Sequence, residues 1–134
     1  MPKSGTGLLR DLNILVVDDD KDTREMLRFI FEQEAGHVVT ASSVTEALES
    51  FKASPPNVVV ADIGMPEYNG YALVSLIRAH DKELGRSTPC IALTAYTSPA
   101  DENAALAAGF QKYMAKPFHP AKVIEEIRNL VASQ

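Results

Sequence analysis

Five short apolar runs recur along this chain, separated by longer stretches whose apolar residues return every three or four positions. The runs are 13–17 (NILVV), 37–41 (HVVTA), 57–61 (NVVVA), 89–95 (PCIALTA) and 111–115 (QKYMA). A run without regular alternation offers no polar face to water, so it is read as a strand covered on both sides. The stretches between carry helical spacing: Met26, Leu27, Ile30 and Phe31 in 21–36, Val44, Ala47, Leu48 and Phe51 in 43–54, and Leu73, Leu76 and Ile77 in 71–80. Two further helices are predicted over 98–109 and 119–133, each with a proline near its start. Boundary residues agree. Gly36 and Gly109 are expected as stops, Ser43 with Glu46 as a capping box, Ser98 and Asp20 as N-caps, and Pro55-Pro56 as a break.

Strand and helix thus alternate five times. Right-handed crossovers between parallel strands put helices on both faces, which predicts a doubly wound α/β fold. Bulk properties fit that expectation. The 134 residues suit one core, and a net charge of −5 disfavours a nucleic-acid surface. The single cysteine, Cys90, excludes an internal disulfide and is expected to be a small buried hydrophobe. That usage suits a reducing cytoplasm. No apolar run approaches the roughly 20 residues a membrane span needs. Residues 1–12 are read as a mobile tail or the end of a linker, and 13–133 as the domain.

In a doubly wound sheet the ligand crevice lies beyond the carboxyl ends of the strands. The residues there are polar. Asp18, Asp19 and Asp20 follow the first strand, Asp62 the third, Thr94 and Ala95 close the fourth, and Lys116 follows the fifth. Parallel strands bring these to one rim. Carboxylates crowded together repel unless a cation lies among them. An oxygen-only set favours a hard ion, Mg2+ first. A divalent cation, a hydroxyl and an ammonium together cradle a phosphoryl group, and one carboxylate could receive it as an acyl phosphate.

Four motifs carry a resemblance: Asp18-Asp19 after ILVV, Asp62 in VVVADIGMPEYNG, Thr94 in IALTAY, and Lys116-Pro117-Phe118. In that order, each at a strand end, they resemble the receiver domain of two-component response regulators over roughly Asn13 to Val131. The wording of residues 62–74 and 91–118 is especially similar to receivers of hybrid histidine kinases. The resemblance implies a flavodoxin-like sheet of five parallel strands in order 2-1-3-4-5. It implies Asp62 as acceptor of a phosphoryl group from a partner's phosphohistidine, on a histidine kinase or a histidine phosphotransfer protein. It assigns Mg2+ to Asp19, Asp62, the Gly64 carbonyl and Asp18, the last directly or through water. Thr94, the Ala95 amide and Lys116 would hold phosphoryl oxygens. Lys116-Pro117 matches a peptide that is usually cis. Tyr113 matches an aromatic that changes rotamer with Thr94 in many receivers, packing being the alternative. The fourth helix, fifth strand and last helix would then present a changed face to a downstream partner or to a second copy of the chain. Gly64 and Tyr96, two positions past Asp62 and Thr94, would make self-dephosphorylation slow.

Other functions fit less well. Asp18 to Asp22 mimics the opening of a calcium loop, but Thr23 stands where glycine is required and Phe29 where the bidentate glutamate belongs. A haloacid-dehalogenase-type phosphatase would need an Asp-x-Asp-x-Thr/Val run that DDDKD and DKDTR both miss. A flavodoxin-type cofactor binder would need a phosphate loop where this chain carries three acids. A degenerate receiver serving only as a binding platform stays open, as does the choice between a free-standing regulator and the terminal receiver of a hybrid kinase. His37, His80 and His119 share no ligand spacing.

Overall fold

The computed structural model describes residues 7–63, 70–95, 99–116 and 118–132. Strands β1 (Asn13–Val17), β2 (His37–Ala41), β3 (Val58–Ala61), β4 (Cys90–Thr94) and β5 (Lys112–Ala115) alternate with helices α1 (Lys21–Gln33), α2 (Val44–Ala53), α3 (Gly70–Leu84), α4 (Pro99–Ala108) and α5 (Pro120–Ala132). The strands form one parallel sheet in the order β2-β1-β3-β4-β5, as the sequence led us to expect.

Each inner strand feeds two cores, because successive side chains point to opposite faces. Leu15, Val17, Val59, Ala61, Cys90 and Ala92 pack with Phe51 of α2, Leu73 and Ile77 of α3 and Ala105 of α4. Ile14, Val16, Val58, Val60, Ile91 and Leu93 pack on the other side with Leu27 and Phe31 of α1 and Val123 and Ile127 of α5. All these residues are at most 2% exposed, and burial of each large one stabilises by about 1.5–3 kcal/mol.

Three helices close in the same way. In α3 the amides of Gly85 and Arg86 turn back to the carbonyls of Lys82 and Asp81, and in α4 those of Gly109 and Phe110 turn back to Leu106 and Ala105. In α1 the amides of Ala35 and Gly36 reach Glu32 and Phe31. These are Schellman closures, with the left-handed residue just past the cap. Gly85 (φ 66) and Gly109 (φ 129) fill that position in two of them, but Ala35 (φ 68) fills it in α1. The expected stop, Gly36, is therefore not the left-handed residue. It is needed for space, since a Cβ there would lie 3.1 Å from the Phe31 carbonyl oxygen. Ala35→Gly is expected to stabilise the protein by about 1 kcal/mol, the penalty of a Cβ in the left-handed region less glycine's entropy cost. Urea denaturation checks it.

Three other boundaries differ from expectation. The capping box of α2 closes one residue early: Ser43 Oγ accepts the Glu46 amide, but Glu46 Oε1 takes the amide of Ser42 at 2.5 Å. Helix α3 runs four residues beyond the predicted 71–80, to Leu84. Residues 7–12, read as tail, are packed. Leu9 is fully buried in the α1/α5 core, its amide donates to the Glu34 carbonyl at 2.9 Å, and Asp11 turns the chain with φ 68. The N-cap expected of Ser98 and the Lys116-Pro117 peptide lie outside the described residues.

Candidate functional site

The ladder of the sheet continues one residue past the strands, and that residue is in each case a polar one. The Asp18 amide donates to the Ala41 carbonyl, Asp62 to Val17 and Lys116 to Thr94, at 3.1, 2.9 and 2.8 Å. The strands therefore fix the backbone of all three. Their side chains converge. Lys116 Nζ lies 2.9 Å from Asp18 Oδ2 and 3.5 Å from Asp62 Oδ2. Carboxylate oxygens of Asp18, Asp19 and Asp62 fall within 4.8 Å of one another, close enough to share a cation. Asp18 is buried, Asp62 half-buried and Asp19 exposed, so the cluster grades from core to solvent.

Asp18 has both oxygens engaged. Oδ1 accepts the Asp20 amide at 2.9 Å and Oδ2 accepts Lys116. Arg24 Nη1 donates to the Asp18 carbonyl at 2.9 Å and pins the turn into α1. Asp20 itself caps α1 through the Thr23 amide, as expected.

The ion pair is electrically lopsided. Burial raises the Asp18 pKa, outweighing the hydrogen bonds from Lys116 and the Asp20 amide that lower it. Burial pulls Lys116 down, but the Asp18 bond and the fields of Asp18 and Asp62 outweigh it and hold the ammonium above its ordinary value. The pairing favours the charged form of both groups, and at Asp18 alone burial outweighs it. Asp18 is 4% exposed at its side chain against 23% for Lys116, so desolvation falls chiefly on the carboxylate. The sign for stability follows. A raised Asp18 pKa means the folded state holds that proton better, so ionisation of Asp18 costs stability as pH rises above 3.8 through the folded value. In EDTA, Asp18→Asn is expected to melt above wild type at pH 7 and to lose that margin as the pH falls to 3.8, measured by calorimetry.

The other expected site residues are placed as follows. Thr94 is fully enclosed and Ala95 is exposed at the rim. Tyr113 is half-buried, and its hydroxyl is enclosed with no hydrogen-bond partner among the described residues. Burial raises its pKa, with the Asp101 charge adding to the effect, so the phenol stays protonated. Gly64 and Tyr96 lie outside the described residues. Cys90 is fully buried, and burial pushes its thiol up to about 12, which makes it inert as expected.

Comparison with protein families matches residues 14–128 to the response regulator receiver domain. The chain belongs to this family. The receiver is 42% identical over 120 residues to an uncharacterized 14.6 kDa protein of Leptolyngbya boryana, each chain being covered to 90%. It is 35% identical over 119 residues to the response regulator SaeR of Staphylococcus aureus, covering 89% of this chain and 50% of SaeR. The receiver thus spans half the length of SaeR. Among solved structures, one of a response regulator from Chloroflexus aurantiacus superposes with a TM-score of 0.84 at 31% identity, covering 90% of this chain and 98% of that one.

Sequence reasoning missed one polar cluster of the receiver, at the opposite end of the sheet. Asp81, 2% exposed, accepts the Thr88 amide at 2.7 Å and the Thr88 hydroxyl at 2.9 Å. Arg78 pairs with it at 3.1 Å and Arg86 at 3.6 Å. The available signal was an Arg and an Asp three apart on a helix, a pattern that usually marks a solvated pair.

Proposed function

We propose that the receiver accepts a phosphoryl group on Asp62 from a phosphohistidine of a histidine kinase or histidine phosphotransfer protein. The convergence of Lys116 on Asp18 and Asp62 at one rim is the observation that carries it. Asp62 projects from a rigid strand end yet keeps 14% of its side chain exposed, so an incoming phosphoryl group can reach it. Lys116, held by Asp18, is positioned to take up a phosphoryl oxygen once charge develops there. Thr94 and the Ala95 amide would bind others. The acidic cluster fits Mg2+, a hard ion that accepts one or two carboxylates and keeps waters. Bound there, the ion would neutralise charge on the phosphoryl oxygens. Asp19 and Asp62 would hold it directly with the Gly64 carbonyl, and Asp18, already engaged, through water.

The domain would catalyse its own phosphorylation and dephosphorylation and no other reaction. Thr94 and Tyr113 would report the modification to the face of α4, β5 and α5, where a downstream protein or a second copy would dock. No helix among the described residues is long and apolar enough to cross a membrane, and we place the domain in the cytoplasm on its kinase partner. The test is a titration with beryllofluoride, a phosphoryl mimic, read by amide NMR with and without Mg2+. Shifts at Asp62, Thr94 and Lys116 that need Mg2+ and vanish in Asp62→Asn are expected. A wild type that does not respond would leave a binding platform instead.

A further inference from the structure

Asp18, the first residue past β1, has every polar group engaged. Its amide continues the ladder to Ala41 at 3.1 Å, Oδ1 accepts the Asp20 amide at 2.9 Å and Oδ2 accepts Lys116 at 2.9 Å. Its carbonyl is a separate case. It lies beyond the last paired residue of β1, and the backbone bonds of α1 begin with the Arg24 amide on the Asp20 carbonyl, so neither sheet nor helix supplies it with a donor. A main-chain carbonyl left unpaired away from water is costly. Arg24 fills the gap from within α1, its Nη1 donating at 2.9 Å.

Asp19 consequently stands between two held peptides. Arg24 fixes the one before it through the Asp18 carbonyl, and Asp18 Oδ1 fixes the one after it through the Asp20 amide. Among the described residues no hydrogen bond holds the exposed Asp19 carboxylate itself. Its approach to within 4.8 Å of Asp18 and Asp62 is therefore set through the backbone, on which a side chain keeps only a few rotamers. The choice of partner by Arg24 is informative. It pairs with none of the acids of this turn among the described residues, although a carboxylate would accept the stronger bond. Arg28, one turn on, does the ordinary thing: it pairs with Glu32 at 3.5 Å and donates to Thr40 at 3.3 Å.

We propose that Arg24 is a positioning residue for the divalent cation: by holding the Asp18 carbonyl it fixes Asp19 in the orientation that completes the acidic cluster. That Mg2+ is the ion, with Asp19 as a direct ligand, rests on the phosphoacceptor reading. Groups that orient the ligands of a metal without touching it typically set its affinity by about ten- to a hundredfold.

The sign of the effect separates positioning from charge. Loss of a positive charge beside the cluster would by itself tighten Mg2+ binding. Arg24→Met is nevertheless expected to weaken it about tenfold, in a titration of the full chain with Mg2+ alone followed by amide NMR. Arg28→Met removes the same charge from the same helix without touching the turn, and should leave the affinity unchanged or raise it. Equal or tighter binding in Arg24→Met overturns the proposal, and so does an equal loss in Arg28→Met. In EDTA, exchange of the Asp20 amide is expected to quicken about tenfold in Arg24→Met, as for loss of a charged hydrogen bond. Val16 and Val60 in β1 and β3 should keep their rates, showing an intact fold. An unchanged Asp20 amide, or equal quickening everywhere, also overturns the proposal. A wild type that binds no Mg2+ overturns it outright. Mg2+ binding with no response to added beryllofluoride at Asp62 overturns the phosphoacceptor reading instead, and the comparison of Arg24→Met with Arg28→Met still decides the role of Arg24.

Discussion

In Lys116→Met the affinity for Mg2+ is expected to rise about tenfold while the affinity for beryllofluoride falls by at least as much. The opposed signs come from one charge. The ammonium sits 2.9 Å from Asp18 and 3.5 Å from Asp62, where a cation would otherwise collect the field of the cluster. Two unit charges about 4 Å apart interact by about 4 kcal/mol near a protein surface. Lys116 is 23% exposed and salt screens it, so we expect about a third of that, or a factor of ten in binding. On the phosphoacceptor reading, phosphoryl oxygens would lose a partner in the same step. A merely structural lysine would shift both affinities the same way. Isothermal titration with each ligand, Mg2+ first and beryllofluoride at saturating Mg2+, separates the outcomes.

The second large effect is on stability. Asp81→Ala is expected to cost about 3 kcal/mol and to lower the melting temperature by about 10 °C. The carboxylate is 2% exposed and serves the Thr88 amide and hydroxyl together with Arg78. Its removal strands a buried amide and leaves a half-buried guanidinium without its counter-charge. Asp81→Asn, which keeps one acceptor oxygen for Thr88, should lose roughly half as much. Calorimetry on the three proteins checks the order. Beryllofluoride binding near 15 °C should be unchanged in both, because the cluster lies at the far end of the sheet from Asp62.

What could be read from the sequence, and what could not, follows from how each feature is encoded. The strand ends were legible because period and polarity change together there: Val17 to Asp18 and Ala61 to Asp62 are abrupt. The chemistry sat on those steps, so the rim could be assembled before any distance was known. Leu9 was not legible. One leucine in a polar context carries no period, and its burial depends on the end of α1 arriving beside it, with the Glu34 carbonyl taking its amide. The last turn of α3 was hidden for a related reason. Asp81 reads as a solvated residue until Thr88 folds back onto it. Ala35 was missed because propensity favours glycine in the left-handed position, and here the neighbouring glycine was required by a steric contact instead.

The division of each inner strand between two cores bears on how the chain can change length. In β3, Val58 and Val60 serve one core and Val59 and Ala61 the other. Adding or deleting one residue within that strand would exchange the two sets and turn every later side chain to the wrong face. Asp62 would leave the rim at the same stroke. The segments between Ser54 and Asn57 and between Gly85 and Pro89 carry no such parity, and both enter the sheet at the end opposite the acidic cluster. Insertions and deletions compatible with a working site are therefore confined to the loops, and the distance in residues from the start of β3 to Asp62 is fixed by the geometry of the sheet.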